Sequence, residues 1–265
     1  MDDMPAYTLN PSLIQSYLPA HAAAALRHIH VFPTLPSTNA WLLEQADACA
    51  CVCLAEQQTA GRGRRGRVWE SPDSQNIYMS LRWCFADVPP HYGWLGLVMG
   101  VAVAKGLAEY GLQGHALKWP NDLYCGGRKL GGILLQTAQP LQQVVIGIGI
   151  NTGMQPGLAQ NISQPWCDLA DLLGEKVDRN RLVAVILGHL VPALQTFLAF
   201  DKAAFMGEWA HWDWLYGQPV RVETGAESLF GTAGGLDAQG QLVLALADGS
   251  RQAFSSADVS VRQAQ

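Results

Sequence analysis

The chain has 265 residues, of which 49% are hydrophobic and 15% charged, and its formal net charge is −5. This composition excludes bulk disorder, because disordered segments lack the apolar residues that build a core. An acidic chain is also not built to coat nucleic acid over its whole surface. The length allows one large domain, or one large and one small domain.

The sequence shows no sign of export, a membrane span or a cysteine-bound metal. Its start, MDDMPAYTLN, is acidic where a signal peptide is basic, and the alanine-rich run over 20–32 is short and interrupted by His and Arg. We therefore expect a cytoplasmic protein. The cysteines form no C-x-x-C pair, which predicts buried free thiols. They are Cys49, Cys51, Cys53, Cys84, Cys125 and Cys167.

The first part of the chain is predicted to mix strands and helices. The segment 35–46, LPSTNAWLLEQA, places N-cap residue types before an apolar run, which predicts a loop followed by a helix. Strands are predicted over 50–58 and 76–85, the second from alternating apolar residues. Helical spacing over 92–111 ends at a glycine, a common C-terminal stop.

Later segments predict more strands, then helices, then a small β domain. A strand and turn are predicted over 115–124, and LGGILLQT (130–137) and QQVVIGIGINT (142–152) read as two apolar strands. Residues 180–211 are mostly helical. Short strands with Gly and Asp-Gly turns then predict an all-β unit of about fifty residues. We therefore expect a catalytic domain over 1–214 and a C-terminal domain over 215–265.

The segment AGRGRRGRVW (60–69) carries four arginines and matches three glycine motifs. A Rossmann loop needs a helix next, but Pro72 and the apolar alternation predict a strand. A P-loop needs Lys and then Ser or Thr, where this chain has Arg67 and Val68. A kinase lid fits the strand order, but V-A-I-K, H-R-D and D-F-G are missing. An anionic ligand site, a nucleic-acid contact with Trp69 stacking on a base, and a solvated loop remain open.

A second charged segment, KWPNDLYCGGRKLGG (118–132), holds two of the five lysines, Lys118 and Lys129. A carboxylate beside two ammonium groups suits a polyphosphate carrying magnesium, and glycines let the backbone approach a ligand closely. For Lys118 alone, an ordinary surface hairpin is the better interpretation, and it weakens when both segments are considered together. Asn121 and Asp122 lie between the two lysines, and Gly131 and Gly132 are the glycines expected to allow the close approach.

These stretches resemble the biotin protein ligase family, also called biotin–[acetyl-CoA-carboxylase] ligases. The matching stretches are STN (37–39), EQQTAGRGRRGRVW (56–69), KWPNDLY (118–124), RKLGGIL (128–134) and GIGIN (147–151), in the family's order and at compatible spacings. The resemblance implies an α+β fold. It comprises a catalytic domain with a mixed sheet, akin to class II aminoacyl-tRNA synthetases and lipoate ligases, and a small C-terminal SH3-like β-barrel.

The resemblance also implies two half-reactions. Biotin and MgATP form biotinyl-5′-AMP, and a lysine of the biotin carboxyl carrier domain of acetyl-CoA carboxylase then attacks this adenylate. It implies catalytic roles for Lys129, Arg64 and Lys118, and a magnesium contact for Asp122. Biotin would be bound by Ser37, Thr38, Asn39, Gln58, Arg62, Gly63, Arg64, Trp69, Lys129, Gly131 and Gly132. ATP would be bound by Arg62, Arg64, Arg65, Arg67, Lys118, Asn121, Asn151 and Trp166.

The expected form is monofunctional. Some members carry an additional N-terminal helix-turn-helix domain, but only 36 residues precede STN here, and five of them are prolines. We therefore expect no DNA binding by that route, and either a monomer or a homodimer. Two alternatives remain: a lipoate protein ligase, which shares the adenylation step, and a nucleic-acid-binding module that uses the arginine loop.

Overall fold

The computed structural model describes residues 8–73, 76–154, 157, 162, 164–224, 227–255 and 260–263. The acidic start over 1–7, which carries the expectation about export, lies outside the described residues. Within them the chain forms two β-sheets, a larger one covered by helices and a smaller one near the C-terminus.

Seven strands form the larger sheet: β1 His28–Leu35, β2 Cys51–Gln58, β3 Ile77–Cys84, β4 His115–Lys118, β5 Asp122–Cys125, β6 Arg128–Ala138 and β7 Gln143–Ile150. Their spatial order is β1-β2-β3-β7-β6-β5-β4. The β1–β2 pair is parallel and the other pairs are antiparallel, so the sheet is mixed. The inner strand β3 is buried along most of its length because helices cover both faces of the sheet.

The helices are α1 Pro11–Tyr17, α2 Ala20–Ala25, α3 Thr38–Glu44, α4 Tyr92–Tyr110, α5 Leu169–Leu173, α6 Arg179–Thr196 and α7 Lys202–Trp212. The long helices α4 and α6 pack on each other over one sheet face, and α3 covers the other. Gly106 permits the α4–α6 contact, since a Cβ there would lie 3.0 Å from the Cα of Ile186.

One helix of the described chain, Arg179–Ala199, is long and apolar enough to cross a membrane by length and composition alone. Half of its most apolar window is buried in the fold, and α6 packs on α4 within the main hydrophobic cluster. This packing is that of a core helix, which passes the same length and composition test.

Five antiparallel strands form the smaller sheet: β8 Pro219–Glu223, β9 Ser228–Leu236, β10 Leu242–Ala245, β11 Arg251–Phe254 and β12 Ser260–Gln263. Their order is β11-β10-β9-β8-β12. The indole N–H of Trp119 donates to the carbonyl of Gly240 at 3.1 Å, and Trp94 of α4 packs against that same glycine. The two sheets therefore share a packed contact.

The structure confirms the predicted α+β class, with a mixed sheet and a small C-terminal β domain. Ser37 caps α3, accepting from the Ala40 N–H at 3.4 Å, and α4 ends at Gly111 with a φ of 122°. The chain after the arginine segment enters β3 and not a helix. The Rossmann and P-loop interpretations are therefore excluded by structure as well as by sequence.

The prediction of six free thiols is wrong for one pair. Cys49 and Cys84 form a disulfide, with their Cα atoms 5.6 Å apart. The register of β2 and β3 opposes Cys51 to Arg82, which brings the turn before β2 beside the end of β3. Sequence spacing could not reveal this proximity. The remaining four cysteines are free and buried, as predicted.

Candidate functional site

A cleft opens at the end of the larger sheet where β2 and β7 finish and β3 begins. The arginine segment 60–69, the turn between β4 and β5, and β12 of the small sheet form its other walls. Of the residues expected to form a site, it is lined by Ser37, Thr38, Asn39, Gln58, Arg62, Gly63, Arg64, Arg65, Arg67, Trp69, Lys118, Asn121, Asp122, Lys129 and Gly132. The structure therefore gathers residues that are far apart in sequence.

The arginine segment is a closed hairpin. The Gly63 N–H donates to the Arg67 carbonyl at 2.7 Å, and the Trp69 N–H donates to the Gly61 carbonyl at 3.0 Å. At its tip Arg65 has a φ of 59°, left-handed geometry that is uncommon outside glycine. Gly61 is required for close packing, because a Cβ there would lie 2.4 Å from the Trp69 carbonyl. The hairpin thus projects its guanidinium groups over the cleft.

Lys129 sits at the centre of the cationic wall. Its Nζ lies 2.8 Å from Asp122 Oδ1 and 5.3 Å from the centroid of the Trp69 ring. The cross-strand register of β5 and β6 brings Asp122 opposite Gly132, where a Cβ would lie 3.4 Å from Asp122 Oδ1, an ordinary contact distance. Arg64 adds a further charge, since its guanidinium donates to Asn121 Oδ1 at 3.1 Å.

Lys118 lies in a more apolar corner of the same cleft. Its ammonium donates to the Tyr124 hydroxyl at 3.2 Å and lies 5.9 Å from the Trp214 ring centroid. Burial lowers the pKa of Lys118, and Asp122 opposes that shift without cancelling it. Burial likewise lowers the pKa of Arg64. Desolvated cations of this kind interact strongly with an anion that enters the cleft.

The opposite wall is neutral and hydrogen-bonded. The Thr38 N–H donates to Gln58 Oε1 at 2.9 Å, and Gln58 Nε2 donates to the Ser71 hydroxyl at 3.1 Å. Behind them the Thr38 hydroxyl lies 2.7 Å from Ser80 Oγ, and Asn39 Nδ2 lies 2.7 Å from Gln136 Oε1. This wall suits a neutral polar group, whereas the facing wall suits an anion.

Three of the expected ligand residues lie outside the lining of the cleft. Gly131 faces the core, where a Cβ would meet the carbonyl of Gly149 at 2.5 Å, so strand packing and not ligand approach accounts for it. The Asn151 amide donates to the carbonyl of Cys167 at 3.1 Å. Trp166 forms a β-bridge with Lys129 and is half-buried.

Several lining or supporting residues were missed by sequence reasoning. In GIGIN, Gly149 leaves room for the Trp69 ring, which would lie 2.6 Å from a Cβ, and Gly147 leaves room for Asn39. Alternating glycines in an apolar strand were the available signal. Ser80 and Gln136 support the cleft from below, and no local motif marks them. Arg262 of β12, which the sequence suggested only as a speculative contact from the C-terminal barrel, does line the cleft.

The carboxylate content of the cleft is low. Asp122 is the sole acidic side chain among the described lining residues. Within the described part of the chain, no group of three or more His, Cys, Asp or Glu side chains could hold a metal ion. Magnesium, however, commonly binds one or two carboxylates together with substrate phosphates. The residues present therefore fit a magnesium ion carried by a nucleotide and not a protein-enclosed metal.

Two family models match the chain. Residues 31–151 match the biotin/lipoate A/B protein ligase family, and residues 215–262 match the biotin protein ligase C-terminal domain. The bifunctional ligase/repressor BirA of Escherichia coli is 36% identical over 89% of this chain and 75% of its own length. The biotin–[acetyl-CoA-carboxylase] ligase of Mycobacterium tuberculosis is 36% identical over 84% of this chain and 85% of its own.

A solved structure of a related protein has the same fold. The biotin protein ligase of Aquifex aeolicus, in complex with biotin and ATP, superposes with a TM-score of 0.78 at 26% identity, covering 90% of this chain and all of that one. The mixed sheet and its cationic cleft thus define a protein ligase of the biotin/lipoate class. With the C-terminal match and the curated relatives, the chain belongs to the biotin protein ligase family and is a biotin ligase.

Proposed function

We propose that this chain activates biotin with MgATP as biotinyl-5′-AMP and transfers the biotinyl group to a lysine of the biotin carboxyl carrier domain of acetyl-CoA carboxylase. The observation that carries this proposal is the position of Lys129, paired with Asp122 and stacked on Trp69 in a cleft that five arginines line. A preorganised cation at that point suits a reaction in which negative charge accumulates.

In the first half-reaction a carboxylate oxygen of biotin attacks the α-phosphorus of ATP. The bond to the oxygen that bridges to the β-phosphorus breaks, and pyrophosphate leaves. This step needs alignment and positive charge but no protein nucleophile. Lys129 contacts both the carboxylate and the α-phosphate, Arg62 and Arg64 close over them, and Lys118 supports the charge.

The ends of the two substrates occupy different walls. Thr38 and Gln58, with Ser37 at the start of α3, receive the neutral ureido ring, because hydroxyl and amide groups suit it better than charges. Trp69 packs on the valeryl chain. Gly63 and Gly132 let the backbone approach the ligand closely. Arg65, Arg67 and Asn121 bind the phosphates, and Asn151 and Trp166 lie near the adenine.

Magnesium enters with the nucleotide, as a substrate component, and lies beside Asp122. When bound there, it would supply charge neutralisation at the phosphates, which favours the departure of pyrophosphate. The protein's own contribution is the single carboxylate of Asp122, which Lys129 already orients at 2.8 Å.

In the second half-reaction the amine of the acceptor lysine attacks the carbonyl carbon of the adenylate. A C–N bond forms, the C–O bond to the phosphate breaks, the amine loses a proton, and AMP leaves. The mixed anhydride must be sheltered from water before this step. The arginine hairpin, held to the cleft by the Arg64–Asn121 hydrogen bond, provides that shelter.

We propose the domain bounds, the cellular location and the oligomeric state on the same basis. The catalytic domain spans 1–214 and the C-terminal domain 215–265. The protein is cytoplasmic and acts as a monomer or homodimer. A cytoplasmic location predicts that the Cys49–Cys84 pair is largely reduced in the cell, since the cytosol keeps thiols reduced.

One experiment tests the activity directly. The protein is incubated with MgATP, a carrier domain and either biotin or lipoate, and the carrier is weighed by mass spectrometry. A gain equal to a biotinyl group, dependent on ATP, supports the proposal, and a lipoyl gain replaces it with the lipoate alternative. Binding of single-stranded nucleic acid that weakens steeply with salt, without modification of either carrier, would refute it.

A further inference from the structure

The Lys118 side chain lies among other cations, and the carboxylate opposite it is already paired. Its cross-strand partner in the β4–β5 hairpin is Asp122, but the Asp122 carboxylate lies 2.8 Å from the Lys129 ammonium. The like charges of Lys129, Arg262 and Arg67 repel the Lys118 ammonium. Because a lysine side chain is flexible, this repulsion favours conformations that turn the ammonium away from the cleft. Another contact is therefore required to hold it in place.

Tyr124 of β5 supplies that contact. In the register of the hairpin Ala116 opposes Tyr124 and Lys118 opposes Asp122, so the lysine and the tyrosine are diagonal neighbours on one face. The ammonium donates to the Tyr124 hydroxyl at 3.2 Å and lies 4.9 Å from the centroid of its ring. Burial raises the pKa of Tyr124 to about 12, so the hydroxyl keeps its proton at neutral pH and presents an uncharged oxygen to the ammonium.

Tyr124 is held in turn by Trp214, which belongs to the junction between α7 and β8. The centroids of the two rings lie 5.0 Å apart, and the ring planes are inclined by 33°. The Trp214 N–H donates to the Leu117 carbonyl at 2.9 Å, which attaches the junction to β4 at the end of the larger sheet. Only 6% of Tyr124 is exposed, so its ring has little freedom to move. The hydroxyl that receives the ammonium is therefore fixed from behind.

The two aromatic residues act on a ligand through Lys118. Lys118 lines the cleft, whereas Tyr124 and Trp214 are not among the described residues of its lining. Without the Tyr124 hydroxyl, the lysine stem can rotate towards Asp122 and compete with Lys129 for that carboxylate, or it can turn into solvent. Either movement takes a positive charge away from the place where the phosphates are proposed to lie.

We propose that Tyr124 and Trp214 are positioning residues, which hold the Lys118 ammonium in place for the polyphosphate of ATP against the repulsion of its cationic neighbours. The inference rests on the proposed function, in which Lys118 supports phosphate charge. A site that is organised in this way before the nucleotide enters binds it without first having to order a flexible cation. Trp214 extends this support to the junction that leads into the small sheet.

The first test is Tyr124→Phe, which removes the hydroxyl and keeps the ring. Binding of a non-hydrolysable magnesium–ATP analogue is measured by titration calorimetry with the full chain, and biotin is titrated separately. Loss of a hydrogen bond to a charged group is expected to weaken analogue binding by about ten-fold or more and to leave the biotin dissociation constant within about two-fold. Tyr110→Phe is the matched control, since the Tyr110 hydroxyl bonds to the backbone of Asp178, and neither residue lines the cleft.

The second test uses pH, because a merely structural role would not move a pH profile. The Tyr124 hydroxyl stabilises the charged form of Lys118, so its removal lowers the pKa of Lys118 further below the ordinary value. The decline of pyrophosphate release with rising pH is therefore expected about one pH unit lower in Tyr124→Phe. An arginine at position 118 stays charged in this range, so Lys118→Arg combined with Tyr124→Phe should have the pH profile of Lys118→Arg alone.

The third test is Trp214→Leu, which removes the ring behind Tyr124. Because the tyrosine can then tilt away from the lysine, binding of the analogue is expected to weaken by about two- to ten-fold, with biotin binding again little changed. Trp212→Leu is the matched control, since Trp212 lies two residues earlier and packs on His115, with ring centroids 5.0 Å apart, and neither residue lines the cleft.

The outcomes separate the two levels of inference. Biotin-dependent pyrophosphate release by the unaltered chain is measured first, and its absence refutes the proposed function. If release occurs but Tyr124→Phe leaves the analogue affinity or the pH profile unchanged, or weakens biotin binding equally, the positioning role of Tyr124 is overturned while the ligase activity stands. This result decides the matter even if Trp214→Leu does not fold. If a folded Trp214→Leu protein binds the analogue normally, the role of Trp214 alone is overturned.

Discussion

Replacing Lys129 with methionine removes the central cation of the cleft while keeping much of the side-chain volume. The Lys129 side chain is only 14% exposed, and its ammonium group sits where the reacting carboxylate and phosphate are proposed to meet. At a separation of about 4 Å and an effective dielectric constant of about 20, one unit charge interacts with another by about 4 kcal/mol. That energy corresponds to about a thousand-fold in rate, and the existing pair with Asp122 offsets part of it. We expect adenylation to slow by about 10²- to 10³-fold.

The assay is single-turnover pyrophosphate release at saturating biotin and MgATP. Transfer from separately prepared biotinyl-5′-AMP to the carrier domain is measured in parallel, and we expect it to be less affected, because no pyrophosphate departs in that step. Lys105→Met is the matched control, since Lys105 is 46% exposed and pairs with Glu208 on the surface. Near-normal pyrophosphate release from the Lys129→Met protein would refute the electrostatic role assigned to this lysine.

Three further outcomes are expected. Arg64→Gly removes a charged hydrogen bond to Asn121, so biotinyl-5′-AMP should still form but escape about 10- to 100-fold faster; release at the rate of the unaltered protein would exclude a sheltering hairpin. Burial lowers the pKa of Lys118, so the adenylation rate should decline with rising pH at a lower pH than an ordinary lysine would give. Lys118→Arg should move that decline to higher pH, and an unchanged pH profile would contradict the charge-supporting role of Lys118. Because the Cys49–Cys84 bond spans 35 residues, Cys49→Ser should reduce the free energy of unfolding by up to about 4 kcal/mol under oxidising conditions and leave it unchanged in reductant. An equal loss of stability under both conditions would show that the effect comes from packing and not from the disulfide.

The walls of the site could be predicted because their signals are local. The arginine hairpin and the KWPND and RKLGG stretches each carry their charges within a few residues, and their order along the chain indicates a ligase of the biotin family. The predicted strand after Arg67 excluded the dinucleotide and P-loop interpretations, and β3 confirms it. Ser37 was likewise recognisable as an N-cap type before an apolar run.

The sequence by itself determined the family, the fold class and the residues of the cationic wall, because capping, strand alternation and charged motifs depend on near neighbours. The tertiary structure alone decided which distant residues meet. The Cys49–Cys84 bond and the Ser80–Asn39 contact arise from strand register, and Arg262 reaches the cleft from the second sheet. Register depends on the packing of whole sheets, because a one-residue slip would turn every such side chain to the opposite face. The polarity of the neutral wall is therefore a property of the folded sheet and not of any motif in the chain.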